Sequence, residues 1–144
     1  MCEVGECFME NNMSRSKSRV IAMRILYQIA LFEKHKISYD VEEVISSNVS
    51  SDQDFIKDLV YGVLNHFNDI DEVANKYLNN WKINRLGFTD QAIIRIGIYE
   101  LLYTTTPYKV CIDEAIEMAH DYSDDKVVKM VNAVLDSVYH SRDN

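Results

Sequence analysis

The sequence predicts an all-α fold, on three observations. Breakers are scarce, with four Gly and one Pro in 144 residues. Apolar side chains recur mostly at spacings of three and four rather than two. One run, Asp90 to Leu102, is apolar almost all the way round, which is the pattern of a helix covered on every side. After Asp90, only Arg95 and Glu100 carry charge in that run. Gly97 costs about 1 kcal/mol relative to Ala in a helix interior, so a neighbour is expected to pack close against it. The expected architecture is about seven antiparallel helices joined by short loops. The length suits one compact domain: residues 14–144, preceded by a flexible extension, 1–13, that has no periodic apolar stripe.

Taken in order, Ser14, Ser16 and Ser18 are alternative N-caps for a helix running to Phe32 or Glu33, with Ile21, Ile25, Ile29 and Phe32 inward, widened by Ala22 and Leu26. On its other side Lys17, Val20, Arg24 and Tyr27 form a stripe of two cations and a ring. Such a stripe suits single-stranded RNA, and equally suits packing on a neighbouring helix. Asp40 and Glu43 resemble a capping box opening a short helix through Ile45, and Ser46 to Ser51 reads as a loop. Ser51 or Asp52 then opens a helix with Phe55, Ile56, Leu59, Val60, Val63, Leu64 and Phe67 inward, broken at Asn68 and Asp69. The next carries Ile70, Val73, Ala74, Tyr77, Leu78 and Trp81 at i, i+3, i+4, i+7, i+8 and i+11, with Trp81 expected to seal its end.

Arg85 to Thr89 forms a turn, Thr89 is a candidate cap for the central helix, and Thr104 to Pro107 ends that helix. A further helix buries Ile112, Ala115, Ile116 and Ala119, with Asp113 and Glu114 expected in its first turn, where the helix dipole favours acids. After a turn at Tyr122 to Asp125, the last helix presents Val127, Val128, Val131, Val134, Leu135 and Val138.

Catalytic and cofactor signals are lacking. The chain has no Gly-rich phosphate loop, no G-x-S-x-G and no H-E-x-x-H, and His35, His66, His120 and His140 fall on separate elements. Cys2, Cys7 and Cys111 match no metal or redox spacing and read as incidental reduced thiols. Asp113, Glu114 and Glu117 read as surface acids rather than a general acid/base pair. No enzyme activity, metal or cofactor is expected. No apolar run reaches a membrane span or a signal peptide core, which predicts a cytoplasmic protein. The net charge of −8 argues against a general nucleic-acid binder, but it is unevenly placed. From Met13 to Lys36, six cations face only Glu33, a balance of about +5, whereas Ile37 to Asn144 sums to about −10. A basic arm on an acidic body fits a small RNA contact beside a face for a basic partner.

Four stretches together resemble the NusB family: Arg24-Ile25-Leu26-Tyr27-Gln28, the Asp90 to Leu101 run, Pro107-Tyr108-Lys109-Val110 with Asp113 to Ala119, and Val131-Asn132-Ala133-Val134-Leu135-Asp136. The resemblance covers Ser14 to Tyr139. It implies two perpendicular three-helix bundles and a non-enzymatic transcription antitermination role. In that role the protein pairs with NusE, a small-subunit ribosomal protein, binds boxA of nascent ribosomal RNA and joins the RNA polymerase antitermination complex. Carried over residue by residue, the resemblance implies RNA contacts at Arg15, Lys17, Arg19, Arg24 and Tyr27 and at the start of the last helix, Lys126, Lys129 and Met130. It implies NusE contacts at Tyr77 and Asp90. The family's arginine cluster is diluted here by Ser14, Ser16 and Ser18, and Met130 stands where some members have a stacking Phe, which implies weaker RNA binding. The same module leads a ribosomal RNA cytosine methyltransferase, but no Gly-rich turn of a methyl-donor domain is present here. Some members self-associate, so a homodimeric scaffold is a third expectation.

Overall fold

A computed structural model describes residues 14–49 and 53–142. The extension 1–13, with Cys2 and Cys7, and the expected helix start at Ser51 or Asp52 lie outside the described residues. Among those residues there are seven α-helices and no strand: α1 (Arg15–Lys34), α2 (Val41–Asn48), α3 (Asp54–Asn65), α4 (Phe67–Tyr77), α5 (Phe88–Tyr103), α6 (Tyr108–Tyr122) and α7 (Asp125–Ser141). None is long and apolar enough to cross a membrane.

The central helix of the sequence is α5. Its residues Gln91 to Leu101 are all buried, and Ile93, Ile94, Ile96, Ile98 and Leu101 meet Ile25 of α1, Ile56 and Leu59 of α3, Ile70 of α4 and Leu135 of α7 in one core. α5 packs on α1, α3, α4, α6 and α7; α1 packs on α2 and α3, and α7 on α6 and α4. The close approach expected at Gly97 comes from α7: a Cβ there would lie 2.7 Å from Leu135 Cδ1.

Three contacts fix the directions of the helices around α5. Arg19 of α1 meets Glu100 near the end of α5, and Tyr27 meets Phe88 at its start, so α1 runs antiparallel to it. Ser123, just after α6, donates to Asp90 Oδ1 at 2.6 Å, so α6 also runs antiparallel. Arg142, just after α7, donates to the Leu101 carbonyl at 2.7 Å, so α7 runs parallel. Residues at the two ends of α5 are therefore separated by roughly 24 Å, the length of a 16-residue helix.

Some helix ends fall where expected and others do not, because local geometry decides them. Ser14 is the cap of α1, its Oγ accepting from the Lys17 amide at 3.2 Å. Asp40 caps α2 by accepting from Glu42 N, and α2 extends to Asn48 because Ser46 and Ser47 turn their hydroxyls onto carbonyls of the preceding turn. The break between α3 and α4 falls at His66, whose ring stacks on Tyr103 at 3.9 Å, not at Asn68 and Asp69. Phe67 thereby opens α4 and leaves the core, lying over the Arg95 guanidinium at 4.1 Å. Gly87, not Thr89, precedes α5, and Thr89 is its second residue. α6 starts at Tyr108, so Asp113 and Glu114 fall in its second turn. Asp124 caps α7, accepting from Val127 N at 2.9 Å.

Candidate nucleic-acid interface

The charged residues of α5 are internal fasteners. Arg95 donates two bonds to Asp71, at 2.8 and 2.9 Å, and one to Gln91 at 2.9 Å, clamping α4 to α5. Glu100 receives Arg19. The Arg19 guanidinium is 2% exposed and bonds both Glu100 oxygens, at 2.7 and 2.8 Å, and Glu114 Oε1 at 3.1 Å. Burial alone lowers the pKa of this guanidinium, but the Glu100 hydrogen bonds and the charges of Glu100 and Glu114 outweigh it and raise it. Thr106 also donates to Glu100, and Ser16 to Glu114. Arg19, expected at the RNA surface, is thus turned inward and has no donor pointing to solvent for a phosphate. Glu114 is likewise no mere surface acid, since it is half of what holds Arg19.

The other cations of α1 stay outside. Lys17 and Arg24 are exposed and have no ion-pair partner among the described residues. Arg15 is exposed too, its guanidinium 4.6 Å from the centroid of the Phe55 ring, on which Arg19 also lies. Tyr27 is 38% exposed and packs edge-on to Phe88 at 6.3 Å, with Lys34 over the same Phe88 ring. The stripe of Lys17, Arg24 and Tyr27 therefore faces solvent, with only Val20 half-buried.

At the head of α7 the structure assembles a groove of about 280 Å³. Lys126, Lys129 and Met130 form one wall; Tyr77 and the segment Leu78 to Trp81 form the other. Tyr77, expected to meet a protein partner, shares this groove with the three α7 residues expected to meet RNA. It is half-buried against the core, and the Ser141 hydroxyl beside its oxygen draws its pKa below the ordinary tyrosine value. Trp81 does not seal α4. That helix stops at Tyr77, and Trp81 stands 48% exposed with Lys126 Nζ 5.8 Å from its ring centroid. Asp90 is not among the residues lining this groove; it is half-buried and tied to Ser123.

The expected site residues thus fall into two groups. Arg15 and Lys17 sit where α1 passes the C-terminal end of α5. Tyr27, Asp90 and the α7 lysines lie toward the N-terminal end, with Arg24 between. A third feature, an apolar hollow of about 530 Å³ lined by residues that include Leu26, Ala30, Phe67, Phe88, Gln91 and Arg95, opens between α1 and α5. No group of three or more His, Cys, Asp or Glu that could hold a metal occurs among the described residues.

The family model described as the NusB family matches residues 16–140. The transcription antitermination protein NusB of Macrococcus caseolyticus is 37% identical over 131 residues, covering 90% of this chain and 99% of that protein. The NusB protein of Staphylococcus aureus is 38% identical over 127 residues, covering 88% of this chain and 98% of that one. Among solved structures, T. maritima NusB superposes with a TM-score of 0.78 at 28% identity, covering 89% of this chain and 92% of that one. A structure of antitermination factors NusB and NusE in complex with dsRNA superposes with a TM-score of 0.76 over 88% of this chain and 96% of that one; at 24% identity it shows the common fold.

Proposed function

The chain belongs to the NusB family, and from that premise we propose that it is a non-enzymatic, RNA-binding transcription antitermination factor acting in the cytoplasm. In this reading it pairs with NusE, and the pair holds boxA of nascent ribosomal RNA while RNA polymerase elongates. The relatives bear the name of an antitermination protein, and the M. caseolyticus protein is spanned almost whole, so nothing favours the methyltransferase alternative.

The observation that carries the reading is the groove at the head of α7. In a stretch that sums to about −10, two lysines meet there with no acid among the lining residues. Exposed cations beside polarisable and aromatic side chains are what single-stranded RNA needs: charge for phosphates, faces for unstacked bases. Arg15, Lys17 and Arg24 add phosphate contacts along α1, and Tyr27 a ring. Arg19 acts indirectly, by fixing α1 against α5 and α6. The acidic remainder opposes long-range attraction of RNA, so a basic partner supplies much of the electrostatic term. Asp90 offers charge to that partner and Tyr77 ring area, a residue type enriched in interface cores.

Sedimentation velocity tests the assembly. Alone the chain is expected to sediment as a monomer, to form a one-to-one pair with NusE, and then to gain boxA RNA. A stable homodimer unaffected by NusE would contradict this and favour a self-associating scaffold.

A further inference from the structure

Trp81 is the chain's single tryptophan, and the fold holds it in water. Its segment is anchored on both sides. Leu78 before it is buried, Ile83 after it is buried, and the Ile83 amide donates to Asn75 Oδ1 of α4 at 2.7 Å. The segment between these anchors has little freedom to fold its ring back into the core. Leaving an indole exposed forfeits the burial that makes aromatic rings valuable in folding.

The surroundings say what kind of ligand fits. Lys126 lies in the first turn of α7, just after the acids Asp124 and Asp125, and its ammonium sits over the Trp81 ring. Lys129 and the Met130 side chain line the same groove. Asn79 and Asn80 are exposed, and their side chains have no hydrogen-bond partner among the described residues. A π-face, an adjacent cation and free carboxamides together match an unstacked nucleotide: the base lies on the ring, its phosphate meets a lysine, and its edge meets an amide.

We propose that the Trp81 groove is a base-reading subsite for single-stranded RNA, in which Trp81 supplies the stacking face that Met130 lacks and Asn79 or Asn80 reads the base edge. This rests on the RNA-binding function proposed above and deepens it.

Because Trp81 is the only tryptophan, its fluorescence reports directly on its own face. The full chain is titrated with a short single-stranded boxA RNA and with the same sequence in a duplex, following tryptophan fluorescence and, in parallel, the anisotropy of labelled RNA. The single strand is expected to quench the fluorescence saturably, with the same dissociation constant by both readouts, and the duplex to leave it unchanged. Trp81→Ala is expected to weaken single-strand binding roughly tenfold with an unchanged salt slope, and Trp81→Phe to retain most of the affinity. Lys126→Ala instead flattens the salt slope. Circular dichroism checks that each variant folds. RNA binding by anisotropy with silent tryptophan fluorescence and a neutral Trp81→Ala would overturn the subsite while leaving the RNA function standing. No RNA binding by either readout, from the chain alone or from its pair with NusE, would overturn both. Fluorescence that responds to NusE and not to RNA would make the groove a protein contact and overturn the subsite.

Discussion

Arg19 and Glu100, 81 residues apart, are joined by two hydrogen bonds that fork onto both carboxylate oxygens, with both side chains almost fully buried. Removing one partner of such a pair leaves an uncompensated buried charge, which costs about 3–5 kcal/mol. Glu100→Ala and Arg19→Ala are each expected to lower stability by that amount in urea unfolding. Arg19→Lys should not restore it, because an ammonium cannot reproduce the planar fork. Arg19→Met combined with Glu100→Leu should cost less than either alanine variant; strictly additive losses would show that the two residues act independently.

Gly97 gives a second test. A methyl there meets Leu135, itself fully buried, at 2.7 Å. Overpacking costs about 1–3 kcal/mol, against roughly 1 kcal/mol gained from helix propensity. Gly97→Ala should therefore leave the melting temperature level or lower it, and Gly97→Ala with Leu135→Val should melt higher than Leu135→Val alone. A clear rise in the single variant would mean that α7 does not press on α5 here.

Cys111 is expected to be inert while folded. Burial, and then the nearby Glu100 charge, push its thiol up from 9.0 to about 12. In a Cys2→Ser, Cys7→Ser background, a thiol reagent at pH 8 should label Cys111 only after unfolding. An unfolded thiol ionises near 9 and the folded one near 12, so its contribution to stability is full below about pH 9 and is lost as pH rises through 12. Rapid labelling of the native chain at pH 8 would contradict the burial.

Met130 lines the α7 groove half-buried, with no π-face to offer. Met130→Phe should strengthen single-stranded RNA binding by up to about 1 kcal/mol, read by anisotropy, with an unchanged salt slope. Unchanged affinity would mean that this position faces no base.

Much of this was legible in the sequence. Helix order and the buried α5 followed from periodicity, and the helix-interior glycine at 97 announced the approach of α7. What periodicity does not carry is the set of contacts that decide ends and orientations. The stacking of His66 on Tyr103 moved a helix break, and buried Leu78 and Ile83 turned Trp81 outward. Charge counting likewise placed Arg19 with Lys17 and Arg24. A signal against that existed: Arg19, Ala22, Met23 and Leu26 follow one buried stripe at i, i+3, i+4 and i+7, and a Glu on a helix apolar all round needs a cation. The α7 groove could not be foreseen as one site, because its two walls lie about fifty residues apart in the chain.

The central claim, that this chain with NusE recognises boxA RNA through exposed cations and unstacked bases, is tested most directly by fluorescence anisotropy of the pair on boxA and scrambled single-stranded RNA across a salt series. The account predicts tighter binding to boxA at every salt concentration, with affinity for both RNAs falling as salt rises. Lys17→Ala should weaken both RNAs alike, whereas Tyr27→Ala should narrow the gap between them. Equal affinity of the unmutated pair for boxA and scrambled RNA would contradict it.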